Sequence, residues 1–156
     1  MSKIFTTNNK LISGRLLPGT DLIQGIKEIC KKNDVKYGNI VSCIGSLSKA
    51  TYIYAIDDEE NPVKIRYCDP VVVTGPIELI ACQGTIGQDD DETAIHLHGM
   101  FNDKYTNIYS GHFYDKDNTV LATIEFLIVS YDSPVINKEF DSETGFRLLR
   151  YNDVKE

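Results

Sequence analysis

The stretch IHLHGMFNDKYTNIYSGHFY, Ile95 to Tyr114, decides the fold, and it holds all three histidines of the 156-residue chain. Side chains alternate between faces along a β-strand, so His96 and His98, two residues apart, point to the same side. Asn102-Asp103-Lys104 has turn-forming chemistry, and Ile108 to Tyr114 then alternates again. The two runs fold back as an antiparallel hairpin that brings His112 opposite the pair. Three imidazoles converge on one face, which predicts a metal site.

On the C-terminal side of this hairpin, Val120 to Val129 reads VLATIEFLIV, a continuous strand that is apolar on both faces except at Thr123 and Glu125. Further on, FDSETGFRLL, Phe140 to Leu149, reads as a polar turn leading into a short apolar strand. On the N-terminal side lie the β-runs Tyr37 to Ile44, Ala50 to Ile56, Val63 to Tyr67, Val71 to Thr74 and Ile77 to Ile86. Gly45-Ser46-Leu47-Ser48 separates the first two, Asp57 to Asn61 is a turn, and Gly84 breaks the last. Gly45, Gly84 and Gly111 are candidates for close backbone approach. Lys10 to Leu17 is a first strand ending at the turn Pro18-Gly19, and Met1 to Asn9 reads as an extended arm or a frayed end.

Thr20 is placed to cap the one clear helix, which runs to about Asn33. Leu22, Ile23, Ile26, Ile29 and Cys30 recur at helical spacing and give it one apolar face. Gly25 costs about 1 kcal/mol there relative to alanine, which close packing on a sheet would justify. The strand connections are mostly too short for parallel crossovers. The expected fold class is therefore α+β: a largely antiparallel β-sheet of seven or eight strands with one main helix packed on it. A single domain over residues 1–156, with its core at about 11–149, is expected, without repeats or linkers.

The composition, 42% hydrophobic and 25% charged, is that of an ordinary globule. No run approaches the roughly 18 apolar residues that span a bilayer. The start, MSKIFTTNNK, lacks the apolar core of a secretory signal, so a cytoplasmic protein without a membrane partner is expected. The four cysteines, Cys30, Cys43, Cys68 and Cys82, fall singly in apolar segments and read as reduced core residues. A net charge of -7 forgoes the counterion release that drives non-specific DNA binding, which disfavours direct nucleic-acid contact. Lys27, Lys31, Lys32 and Lys36 read as a solvated helix face. Gln88 to Glu92, QDDDE, lacks the ligand-glycine-glutamate spacing of a calcium loop and reads as a solvated loop.

RLLPGTDL, GSLSKATY, GPIELIACQGTIG, HLHGMF, SGHFY and TIEFLIVS occur in an order that resembles the plant and prokaryote conserved (PPC) domain. FDSETGFRLL resembles the end of its stand-alone prokaryotic members, so the likeness covers roughly Leu11 to Leu149. It implies a mostly antiparallel sheet with one or two helices, assembled as a homotrimer. The plant proteins carry AT-hooks, Arg-Gly-Arg-Pro segments that this chain lacks, so their association with DNA transfers poorly. The histidines do correspond: His96, His98 and His112 stand at the H-x-H and Gly-His positions that hold a metal ion in some relatives. Ser110 departs from the pattern, standing where the family usually has the first glycine of a Gly-Gly-His.

Three neutral imidazoles with a fourth position open are the pattern of a catalytic zinc site, whereas structural sites are usually closed by four ligands. Zinc is the expected cofactor, although imidazole also suits copper, iron and nickel. Such an ion would bind a small anionic ligand or activate water. Glu125, in mid-strand, would be costly to bury alone. It is either a base or histidine-orienting group, or the structural partner of Arg15. Glu78 poses the same problem beside the solvated strand end at Pro76. Tyr52, Tyr54, Tyr105, Tyr109 and Tyr114 read mainly as strand packing. The competing functions are a metal site that binds or hydrolyses a small molecule and, as the alternative, a non-enzymatic trimeric interaction module or a DNA-associated regulatory protein without its own AT-hook.

Overall fold

The computed structural model describes residues 9–152, so the arm or frayed end expected over Met1 to Asn9 lies, Asn9 excepted, outside the described residues. The alternating runs do form strands. β1 (Asn9–Leu16) precedes α1 (Leu22–Lys32), and then come β2 (Tyr37–Ile53), β3 (Ala55–Asp57), β4 (Ile65–Tyr67), β5 (Val71–Asp89) and β6 (Glu92–Asp103). β7 (Ile108–Phe113), β8 (Val120–Tyr131), β9 (Val135–Asp141) and β10 (Phe146–Asn152) follow within the described residues. Eight strands make one sheet in the order β1-β8-β2-β7-β6-β5-β9-β10, with β2 also pairing β5, while β3 and β4 form a separate ribbon. Neighbours pair antiparallel except at Gln88 and Asn137, where β9 runs parallel to β5. The α+β class holds, and the sheet is mixed by that one pairing.

β2 changes partner along its length. From Tyr37 to Leu47 it pairs β8, and at Tyr52 and Ile53 it pairs β7 instead. Because β5 lies on its other edge, β2, β5, β6 and β7 close on one another at this end. Aromatic rings fill the enclosed space. Phe101 meets Tyr52 edge-on at 5.5 Å between centroids and lies 5.6 Å from both Tyr109 and Phe113. Phe101 and Phe113 are fully buried, so this end of the sheet is a rigid platform for whatever stands on its outer face.

Two strands are longer than the sequence suggested. GSLS does not separate two runs, because Gly45 takes φ 141° and lets β2 continue past β8. A Cβ at Gly45 would stand 2.1 Å from the Thr123 carbonyl oxygen. Register shifts between Ile40 and Ser42 and between Gly45 and Leu47 absorb the extra residues as bulges. β5 likewise runs unbroken through Gly75, Pro76 and Gly84. The tail holds two strands rather than one: β9, VINKEFD, has too few apolar residues to announce itself.

The helix cap is Asp21, not Thr20. One carboxylate oxygen of Asp21 accepts from the backbone N–H of Ile23 at 3.0 Å and of Gln24 at 3.1 Å, and the other accepts from the N–H of Asn118 at 2.8 Å. Asn118 is fully buried, and its side-chain oxygen accepts from Thr51 N–H at 2.8 Å while its amide donates to the Tyr114 carbonyl. One residue therefore starts the helix and ties it to the segment that follows β7. Asp21→Ala is expected to cost about 1–2 kcal/mol, with Asp21→Asn milder because it still accepts at the cap. An unchanged urea midpoint for Asp21→Ala would contradict this role. Gly25 behaves as expected, since a Cβ there would come within 2.8 Å of Leu16 Cδ2 where the helix packs. Among the described residues, no helix is long and apolar enough to cross a membrane.

Candidate metal centre

Strict alternation along β6 sends Ile95, Leu97 and Phe101 into the core and His96, His98 and Met100 outward. His98 and His112 are direct cross-strand partners, as the hairpin reading requires, and His112 also pairs Ile53 of β2. The hairpin is held by a residue that the sequence reading treated only as part of a turn. Asp103 accepts from the backbone N–H of Tyr105 and Asn107 and from the side chains of Asn107 and Tyr109, at 2.8 to 3.1 Å. The side-chain hydrogen bond from Asn107, with the others behind it, holds the Asp103 carboxyl below the usual carboxylate range. That local signal, an Asp at the start of a short loop with Asn four residues on, fixes the register that aligns the histidines.

The three imidazoles form one cluster. Nε2 of His96 and Nε2 of His98 are 3.0 Å apart, and one ligand atom from each of the three residues falls within a 4.8 Å group. Ring centroids are separated by 4.9, 4.9 and 5.2 Å. A tetrahedral ion with N ligands at about 2.0–2.1 Å needs edges of roughly 3.3 Å, so small side-chain rotations suffice. Nδ1 of His112 is buried without a hydrogen-bond partner, a cost that coordination through that atom would remove. The donor set is all imidazole, with no carboxylate or thiol, and suits zinc or a similar transition ion.

Lost hydration lowers all three histidine pKa values, and the rings also repel one another as cations. His112 falls to about 4, first through burial and then through His96 and His98. Burial lowers His96, helped by His98 and Lys138, and burial alone lowers His98. Neutral imidazole is the ligand form, so protons compete with a metal only at lower pH than for free histidine. In the metal-free protein the depressed groups contribute stability that is full above pH 6.5 and is lost as pH falls toward 4. A histidine NMR titration of the metal-free protein should therefore show one ring titrating near pH 4, and three ordinary midpoints would contradict the packed cluster.

Other candidate residues stand elsewhere. Glu125 is exposed on β8, cross-strand from Arg15 and Ile44, and makes no ion pair with Arg15 among the described residues. Both β2 and β5 stand between β8 and β6, so Glu125 is not gathered with the histidines. Its carboxylate faces water, which is why mid-strand placement carries no burial cost. Glu78 is also exposed. Cys30, Cys43 and Cys82 are buried, but Cys68 is half-buried and its sulfur accepts from Tyr54 N–H at 3.4 Å. Burial pushes the Cys30 thiol up to about 12, and a hydrogen bond with Cys43 together with burial raises Cys82, so neither offers a thiolate. Tyr52 and Tyr109 pack as expected, whereas Tyr54 and Tyr105 are exposed.

The sequence reading missed Tyr67, whose ring lies 6.0 Å from that of His112, and Lys138, whose charge acts on His96 and His112. Both come from distant segments, β4 and β9, and no local pattern marks them. They help line a cavity of about 430 Å3 beside His96 and His112, with Tyr114 also in its wall.

The sequence model of the Plants and Prokaryotes Conserved (PCC) domain matches residues 5–132 of this chain. Two curated relatives from Synechococcus strains JA-3-3Ab and JA-2-3B'a(2-13), both named Bifunctional protein GlmU, are 26% and 25% identical over 91% and 93% of this chain. The chain spans only 20% and 21% of their lengths. Among solved structures, a metal-containing protein from Archaeoglobus fulgidus is 26% identical with a TM-score of 0.77, covering 96% of this chain and 99% of its own. A plant- and prokaryote-conserved protein from Pyrococcus horikoshii shares the fold at 18% identity and a TM-score of 0.74, covering 100% and 99%. The ordered motifs, the sheet with its helix and the match over most of the chain agree: the chain belongs to the Plants and Prokaryotes Conserved domain family.

Proposed function

We propose that this protein is a homotrimeric metal protein in which His96, His98 and His112 hold a zinc ion that binds, or helps to hydrolyse, a small anionic molecule. The observation that carries this reading is the convergence of three imidazole nitrogens within 4.8 Å on the outer face of a rigid hairpin. The Archaeoglobus neighbour's description as metal-containing supports it. Zinc held by three neutral imidazoles supplies a Lewis acid with an open position for water or an anion. The protein's own part is to keep the ligands neutral, fix them on adjacent strands and shelter one side of the site with Tyr67 and the β9–β10 hairpin.

The trimer is supported by the family resemblance and by the row in which the histidines stand. Met100 and Ile108 continue that outward-facing row and are 41% and 68% exposed, an apolar stretch that a second subunit would cover. The same stretch favours the other reading, a non-enzymatic trimeric module that contacts a protein partner. In that case His96→Ala leaves function intact. The acidic charge weighs against direct nucleic-acid binding.

The two readings separate when zinc-loaded and zinc-free protein are compared by sedimentation equilibrium and on a panel of p-nitrophenyl esters and phosphates. Zinc-dependent turnover that His112→Ala abolishes supports hydrolysis. Zinc-dependent binding of phosphate without turnover supports a binding role. A protein indifferent to zinc in both respects overturns the proposal and leaves the interaction module.

A further inference from the structure

Beside the histidines, the cavity is closed by the tail hairpin, and its walls divide by chemistry. We infer that it receives a small carboxylate or phosphate with a flat apolar body, whose charged end lies between the metal and Lys138. This deepens the proposed function and rests on the metal reading.

Charge sets the sign of the ligand. Lys27, Lys138 and Arg147 line the cavity together with Asp89, Glu92 and Asp115, so the formal charges of these side chains cancel. A divalent ion on three neutral histidines leaves the cavity positive, and an anion restores the balance. Lys138 is held in place for this purpose. Its ammonium lies 3.7 Å from Asp89, and the Arg147 guanidinium bonds both to the Asp89 carboxylate and, at 3.2 Å, to the Lys138 carbonyl. Asp89 is thus shared between two cations, in the wall of the cavity that His96 and His112 also line.

The apolar wall sets the shape. The rings of His112, Tyr67 and Phe146 stand in series, at 6.0 and then 5.6 Å between centroids, with Leu149 and Ile53 also lining the space. A volume of about 430 Å3 suits a small molecule rather than a polymer segment. A ring or other planar group lying along Tyr67 and Phe146 would place its carboxylate or phosphate at the histidines. The histidines fall within the family match over residues 5–132, whereas Lys138, Phe146 and Leu149 lie beyond it, on the tail hairpin.

The test uses cobalt(II)-loaded full-length protein, whose visible absorption reports directly on the ion, with benzoate and acetate as probes. Wild type, Lys138→Met and Phe146→Ala should each take up the same amount of cobalt, because none of the changes touches a ligand. Benzoate should half-saturate the spectral change at about tenfold lower concentration than acetate, the gain expected for burying much of a ring. Lys138→Met should weaken both anions about fivefold, as loss of one partly exposed charge pair does. Phe146→Ala should weaken benzoate alone. Equal affinity for the two anions, or wild-type binding in Lys138→Met, overturns the inference while leaving the metal centre standing. A wild-type protein that takes up no cobalt overturns the metal reading itself, and the inference with it.

Discussion

Replacing His96 and His98 together by alanine should abolish stoichiometric zinc binding while leaving the fold in place. Both side chains stand on the outer face of β6, so their loss opens no cavity in the core. Their removal leaves His112 alone, and one imidazole cannot hold the ion against water and buffer. Loss of an outer-shell partner already costs 10–100-fold in metal affinity, so losing two direct ligands should cost well over ~100-fold. Zinc titration against a chromophoric chelator measures this, and circular dichroism confirms the fold. The metal-free double variant should also be less sensitive to acid than the wild type, because the neighbours that disfavour the His112 cation are gone. Undiminished zinc affinity would mean that the cluster does not act as a ligand set.

Gly84→Ala should have the next largest effect, and it should act on stability and on the metal together. A Cβ at this position would stand 2.1 Å from the His96 carbonyl oxygen and 3.0 Å from Leu97 Cα. Both are backbone atoms of β6, so no side-chain rotation relieves the clash. The two strands must part at His96, one of the three clustered histidines. Overpacking of this kind costs about 3 kcal/mol. A fall in urea midpoint of that size, with weakened zinc uptake that does not return at low temperature, is the expected result. Gln83→Ala is the control: the neighbouring side chain is exposed and should shift the midpoint by less than about 0.5 kcal/mol. A Gly84→Ala protein as stable as wild type would show that β5 and β6 are not as closely apposed as their register requires.

The hairpin was legible because its signals are local. Period-two alternation in HLHGMF and SGHFY and a short polar loop fix both the pairing and the shared face of the histidines. Where legibility failed, the deciding contact lay far away in sequence. Thr20 and Asp21 are both competent caps, and the choice depends on Asn118, almost a hundred residues on, which occupies the other Asp21 oxygen. GSLS looks like a loop, yet Gly45 needs its glycine to pass the Thr123 carbonyl of a partner strand. Glu125 looked buried because VLATIEFLIV is apolar almost throughout, but one face of β8 is open to water at that point. Tyr67, Lys138 and Phe146 reach the site from the β3–β4 ribbon and the tail hairpin, and nothing in their own surroundings marks them as site residues. The three-histidine cluster could be read from sequence; the pocket around it could not.

The central claim is that the three histidines hold a metal ion. It is tested most directly by elemental mass spectrometry of wild-type protein purified without a histidine tag or chelator, before and after exposure to one equivalent of zinc. The account predicts about one transition-metal ion per chain, resistant to desalting at pH 7 and released as the pH approaches that at which His112 takes up its proton, about 4. A protein that emerges without metal and retains none of the added zinc would contradict it.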